Sequence, residues 1–222
     1  MPAERFYVDA PLQGSVALKG AEFHHLAHVM KIRPGDQVEL VNGKGALATV
    51  EVVDVSKHEA VLQVLSVATV PVPSPSHILA IPLIRPSKLE FIIEKCTELG
   101  ADAFWIYPAD KDRLSPHQLE RLHYIAISAM KQCGRLDLPP IKLFEQFEDL
   151  FGFPYTYLFG DTRESAKQIK AEKGIVFMSG PEQGFSAKEL KILDAKAQRV
   201  RLHKNTLRAE TAPIAAICML TS

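Results

Sequence analysis

Residues 175–189 read Ile-Val-Phe-Met-Ser-Gly-Pro-Glu-Gln-Gly-Phe-Ser-Ala-Lys-Glu. Ile175 to Met178 form a short apolar run of strand length. Ser179, Gly180, Pro181 and Gly184 then break the chain into a loop. Ser186 followed three residues later by Glu189 is a capping box, which opens a helix over 187–197. A strand, a glycine-rich loop and a helix in fifteen residues make one repeat unit of an α/β sheet.

The same alternation extends outward from this unit. Apolar strands are expected at 77–84, 104–107, 155–159 and 200–202. Pro86, Ser87 and Glu90 suggest a capped helix start, and Leu89, Ile92, Ile93, Cys96 and Leu99 follow at helical spacing up to Gly100. Ser115, Pro116 and Gln118 open a second helix that runs to about Cys133. Further helices are expected over 165–172 and near the C-terminus, the latter with Thr211 as N-cap and Pro213 in its first turn. Strands alternating with helices imply a mostly parallel sheet covered on both faces.

Upstream, Pro71, Pro73 and Pro75 lie in an extended linker, and a domain boundary is placed near residue 73. Before it come short β runs at 16–18, 37–41, 47–53 and 60–67, with turns at Gly14, Pro34-Gly35-Asp36 and Asn42-Gly43 and a helical insert over 21–30. Such spacing suggests a small barrel.

The 222 residues carry 26 Lys and Arg against 26 Asp and Glu, so a basic surface can only be local. Cys96, Cys133 and Cys218 make no CxxC pair, which argues against a disulfide framework or a zinc ribbon. No apolar run approaches a membrane span, and the charged N-terminus does not read as a signal peptide. A reduced, cytoplasmic protein is expected. His24, His25 and His28 invite a metal, but HHxxH lacks the glutamate of HExxH, and packing or RNA-facing histidines are favoured.

Ligands of open α/β sheets bind beyond the carboxyl ends of strands. Three loops qualify: Phe159-Gly160-Asp161-Thr162, residues 179–185, and residues 203–208. The second has neither the GxGxxG spacing of a pyrophosphate cradle nor a Walker lysine. An adenosine held by backbone groups without a phosphate tail fits it, and so does a plain strand–helix turn. Arg208 and Glu210 fall at the mouth of the last helix, either as functional groups or as a solvated ion pair.

Read together, these motifs resemble the RsmE family of 16S ribosomal RNA (uracil-N3)-methyltransferases in the SPOUT superfamily. The family's GPEGG loop and following S-x-x-E read here as Gly180-Pro181-Glu182-Gln183-Gly184 and Ser186 to Glu189; its ILRTETA reads Thr206-Leu207-Arg208-Ala209-Glu210-Thr211-Ala212. QK-x-x-ELG corresponds to Glu94-Lys95-Cys96-Thr97-Glu98-Leu99-Gly100, and EQ-x-x-R-x-x-x-P to Lys131-Gln132-Cys133-Gly134-Arg135-Leu136-Asp137-Leu138-Pro139. Arg5-Phe6-Tyr7-Val8, His25 through Lys31, and Pro34-Gly35-Asp36 match near the N-terminus. Gln183 replaces a family glycine, His203-Lys204-Asn205 replaces the family's GPR, and Lys31 stands where arginine is usual.

The resemblance implies a PUA-like RNA-binding barrel over 1–73 and a SPOUT methyltransferase domain with a C-terminal trefoil knot over 74–222. It implies S-adenosyl-L-methionine as donor, a homodimer, and the small ribosomal subunit with its 16S RNA as partner, without a membrane. The donor is expected against Leu158, Phe159, Gly160, Ser179, Gly180, Pro181, Glu182, Gly184, Leu202, Asn205, Leu207 and Ala212. Arg208 is the expected stabiliser of charge developing on uracil, with Glu210 or Glu98 orienting it or accepting the proton. Arg5, Lys31, Arg33, Arg85, Lys88 and Arg135 are the candidate RNA contacts, and no metal is expected. A dimer that binds RNA without catalysis, and a methyltransferase for another base, stay open beside this. A Rossmann oxidoreductase is disfavoured by the missing GxGxxG.

Overall fold

A computed structural model describes residues 4–72, 74–109, 114–161, 166–168 and 173–221, with Gln168 described by its backbone alone. The chain forms two compact units. One comprises the residues through Val72 together with Met130–Leu138, and the other holds the remainder.

The first unit is built on β1 (Arg5–Tyr7), β2 (Ser15–Lys19), β3 (Gln37–Val41), β4 (Ala46–Val55) and β5 (Glu59–Thr69). Their order is β1-β3-β4-β5-β2, with β1 parallel to β3 and every other pairing antiparallel. Alternate residues of β4, namely Ala46, Ala48, Val50 and Val52, face a core shared with Phe6, Leu18, Leu40 and Leu62. Register shifts at Thr49/Val50 and Val52/Asp54 interrupt the β4–β5 ladder, and bulges of this kind bend a sheet. The result is a curled sheet, a half-barrel with β1 and β2 at its edges, in keeping with the small barrel expected from the sequence. Strand β1 was not foreseen. Three residues carry too little pattern, and they become a strand by pairing with β3.

The helical insert appears as α1 (Gly20–His24) running into a wide π-type turn, His25–Val29. Met30 N–H reaches His25 O at 2.9 Å and Ile32 N–H reaches Leu26 O at 3.1 Å. Lys31 ends the turn at φ +56°, the one described non-glycine residue in left-handed conformation. Residues 130–138 join this unit through Gly45 N–H to Leu136 O at 2.8 Å and Leu138 N–H to Gly43 O at 2.9 Å. Lys131 Nζ also meets Glu22 at 2.6 Å, and Glu22 accepts Tyr7 N–H at 2.9 Å. A single cut near 73 leaves no room for such a return, because its partners are some ninety residues distant.

The second unit is a seven-stranded, wholly parallel sheet of β6 (His77–Pro82), β7 (Ala103–Tyr107), β8 (Ile141–Leu143), β9 (Thr156–Gly160), β10 (Lys167–Gln168), β11 (Ile175–Met178) and β12 (Gln198–Arg201). The order is β10-β12-β9-β11-β6-β7-β8. Every residue of β7 and β11 is buried, which is what their unbroken apolar runs require. Helices α2 (Pro86–Glu98), α3 (Pro116–Cys133), α4 (Ala187–Lys196) and α5 (Thr211–Leu220) connect or follow the strands, and α5 packs on α2, β6 and β11.

The helix ends test the cap assignments individually. Ser186 with Glu189 and Ser115 with Gln118 each make both bonds of a capping box. Ser87 and Glu90 do not. Helix α2 already starts at Pro86, with Arg85 as its N-cap and no side-chain cap bond. Glu90 instead pairs with Arg121 through two bonds, at 3.2 and 3.1 Å. At its other end, Gly100 N–H to Thr97 O and Ala101 N–H to Cys96 O close a Schellman motif. Helix α5 begins at Thr211 itself, with Glu210 in the N-cap position. Of the helix expected over 165–172, residues 167 and 168 form β10 beside β12, and residues 165 and 169–172 lie outside the described residues. Among the described residues no helix is long and apolar enough to cross a membrane.

Candidate functional site

A cavity of about 700 Å³ opens beyond the carboxyl ends of β9, β11 and β12. Its lining includes Gly160 at the end of β9 and Asp161 after it, residues 179–185 after β11, Leu202, His203 and residues 205–209 after β12, with Lys88, Phe177 and Ala212. Parallel strands end in register on one edge of the sheet, so their loops converge there.

Ser179 is pinned before the loop begins. Its N–H donates to Ala80 O at 3.0 Å, and its carbonyl accepts the Tyr107 hydroxyl at 2.6 Å. Burial pushes the Tyr107 phenol well above the usual tyrosine range, so it remains a donor. The loop then turns tightly: Gly184 N–H meets Pro181 O at 2.8 Å, with Gly184 at φ +80°. Gln183 is not in left-handed conformation, so its replacement of the family glycine carries no backbone penalty. Gly180 is needed for closeness rather than angle. A Cβ there would sit 3.2 Å from the Phe185 ring, which folds back over it. The expectation that Gly180 exposes bare backbone is thereby sharpened: one face of it is already taken by Phe185.

Around these loops the charges are paired. Lys88 Nζ lies 3.2 Å from Glu182 and 3.0 Å from Glu210. Glu210 is held below the usual carboxylate range by its own backbone N–H, then by Lys88 and Arg208. Glu182 is lowered likewise, by its own backbone N–H and by Lys88. Arg199 joins Asp161 to Asp194 and lies over the Phe159 ring at 5.1 Å. Asn205 N–H donates to His203 Nδ1 at 3.1 Å, so the divergent 203–205 stretch is held by its own turn.

Of the expected donor residues, Gly160, Ser179, Gly180, Pro181, Glu182, Gly184, Leu202, Asn205, Leu207 and Ala212 line the cavity. Leu158 and Phe159 do not. They belong to β9 proper and are buried, and the lining starts where the strand ends. Arg208 lines it too, with its side chain exposed. Glu210 is not part of the lining but pairs with Lys88, which is. Glu98 is not brought there. It pairs with Lys95 at 2.9 Å, ten residues along α2 from Lys88, or about 15 Å of helix. Asp161, Phe177 and Phe185 were missed. Phe177 lies inside an apolar strand run, and Asp161 and Phe185 fall in two of the three candidate loops, but no local signal gives any of them a role.

Among the RNA candidates, Lys31, Arg33 and Arg85 are exposed. Arg5 pairs with Glu39 at 2.7 Å and Arg135 with Asp137. Lys88 is turned toward the two glutamates of the cavity rather than offered outward. The His24 and His28 rings lie 5.0 Å apart and tilted at 47°, with Phe23 edge-on to His28. Among the described residues no group of three or more His, Cys, Asp or Glu is placed to hold a metal. A second cavity, of about 610 Å³, shares Pro181, Glu182 and Gln183 with the first and is lined also by Arg85, His117 and Arg121.

Residues 72–221 match the model of an RNA methyltransferase domain, and residues 18–65 that of an RNA methyltransferase PUA domain. The ribosomal RNA small subunit methyltransferase E of Synechocystis is 33% identical, over 95% of this chain and 74% of that protein. The enzyme of the same name from Mycobacterium bovis is 32% identical over 100% and 94%. The crystal structure of ribosomal RNA small subunit methyltransferase E from Neisseria gonorrhoeae, bound to S-adenosyl methionine, superposes with a TM-score of 0.83 at 31% identity, covering 97% of this chain and 95% of that one.

Proposed function

Because the chain belongs to the family of ribosomal RNA small subunit methyltransferase E, we propose that it methylates N3 of a uridine in 16S ribosomal RNA. It is an S-adenosylmethionine-dependent rRNA methyltransferase. The observation that carries the site assignment is the convergence of three loops on one cavity beyond β9, β11 and β12. Its size suits a drug-sized ligand. Leu202, Leu207, Phe185 and Ala212 supply apolar walls and the 179–184 backbone supplies hydrogen-bonding groups, as an adenosine without phosphates requires.

Bound donor supplies an electrophilic methyl on a sulfonium, so the protein's work is alignment and charge. Uracil N3 keeps its proton at neutral pH, and methylation requires that proton to leave. Arg208, exposed at the cavity, is assigned to stabilise negative charge developing on the uracil oxygens. Glu210, kept ionised by its backbone bond and by Lys88, serves as the anion that orients Arg208 rather than as the proton carrier. The second cavity, beside the shared wall 181–183 and with Arg85 and Arg121 on it, is the approach assigned to the RNA. Lys31 and Arg33 on the first unit are assigned to the same RNA.

Two further parts of the reading rest on the helices. The packing of α5 back onto α2, β6 and β11 supports a knotted C-terminus. Exposed Phe91 on α2 and Met219 on α5, two helices that pack together, support a homodimer, which light scattering on the purified protein checks. The whole function is tested by mapping modified bases in 16S RNA from cells with and without the gene. Loss of one 3-methyluridine supports it. Loss of a different modified base retains the methyltransferase and overturns the uracil assignment, and an unchanged RNA overturns both.

A further inference from the structure

We infer that Lys88 is a positioning residue that ties the 179–185 loop to the 206–210 loop before α5, so that the donor cavity keeps its shape only while its ammonium spans Glu182 and Glu210. The inference rests on the donor-site reading above. Three segments distant in sequence meet at this one nitrogen, at 3.2 Å and 3.0 Å. An ammonium offers three donors and fits two carboxylates at once. The position is otherwise a poor one for a cation. Lys88 lies in the first turn of α2, where the helix dipole disfavours positive charge, and that turn holds no acidic residue of its own. Compensation comes from the two loops instead. Glu182 is also part of the wall shared by the two cavities, so the tether holds the partition between donor and acceptor sides. Without Lys88 the two carboxylates lose the one cation that pairs with both; Arg208 still acts on Glu210 and Arg85 on Glu182 at longer range, and the remaining like-charge repulsion favours separation of the loops.

The test is a double-mutant cycle on the full-length protein, with S-adenosylmethionine and S-adenosylhomocysteine affinities read by calorimetry and thermal midpoints confirming folding. Lys88→Gln is expected to weaken donor affinity about tenfold and raise the donor KM by a similar factor. Lys88→Arg keeps a cation with several donors and restores most of the affinity. Adding Glu182→Gln to Lys88→Gln also restores most of it, because the repulsion is gone, and a lysine that merely packed α2 would show no such coupling. Unchanged affinity in Lys88→Gln, or additive effects of the two substitutions, overturns the inference and leaves the donor site standing. Absence of donor binding by the parent overturns the functional reading and this inference with it. Should Lys88→Gln prevent folding, amide exchange on Glu182→Gln decides. Faster exchange across 206–210, the loop that does not carry the substitution, supports the tether, and unchanged exchange there overturns it.

Discussion

Tyr107 ends β7, yet its hydroxyl reaches past β6 to the first residue of the 179–185 loop. It donates to Ser179 O at 2.6 Å with both residues buried. Tyr107→Phe removes that oxygen and little else, since the ring stays packed edge-on to Phe147 at 5.2 Å. The cost is therefore one hydrogen bond plus a buried carbonyl left without its hydroxyl partner, about 1–3 kcal/mol. For a chain of this size that corresponds to roughly 2–4 °C in Tm for each kcal/mol. The loop it anchors lines the cavity, so donor affinity is expected to fall about threefold to tenfold. A second signature follows from ionisation. Burial holds the native phenol protonated well above the usual tyrosine range. Below about pH 10 the phenol is protonated in both the native and the unfolded chain and adds no slope; above it the unfolded chain gives up the proton and the native one does not, so stability falls by about 1.4 kcal/mol per pH unit. Tyr107→Phe abolishes that contribution, so the two stability curves converge as the pH rises above that value. Urea unfolding between neutral and alkaline pH, with calorimetry for the donor, measures both effects. A variant with unchanged Tm and unchanged donor affinity refutes the anchoring argument, and an unchanged alkaline slope refutes the burial argument.

Arg208→Lys keeps the charge and removes the planar fork; single-turnover methyl transfer to ribosomal subunits should slow by about 10²-fold with donor affinity near normal. An unchanged rate would give Arg208 a structural role. Gly180→Val drives a branched side chain into the Phe185 ring, and calorimetry should find donor binding largely lost in a folded protein. Gly184→Ala meets no atom within 4 Å but must hold φ +80°, so it should destabilise by about 1–2 kcal/mol in urea titration, without a steric contribution.

The α/β unit at 175–189 was legible because its signals are local. An unbroken apolar run marks a strand buried on both faces, glycine and proline mark the loop, and Ser186 with Glu189 close a cap within four residues. The same holds for Ser115 with Gln118 and for β3 to β5, whose alternation is written in consecutive residues. Ser87 and Glu90 show where local reading fails. They have the spacing of a cap, but Pro86 starts the helix one residue earlier and Arg121, thirty-one residues away, takes the carboxylate. Strands β1, β8 and β10 have two or three residues each and exist through their neighbours' unpaired backbone. The cavity divides along the same line. Motifs placed ten of its lining residues in advance, because loops after parallel strands must gather at one sheet edge. That Leu158 and Phe159 lie under the site, that Glu98 lies along α2 away from it, and that Lys88 turns from RNA toward two carboxylates depended on where three distant segments meet. Sequence determines the elements whose stabilising contacts lie within a few residues, local pairs such as Lys95 with Glu98 included; packing decides which charges pair across distant segments, because an ion pair depends on distance in space rather than along the chain.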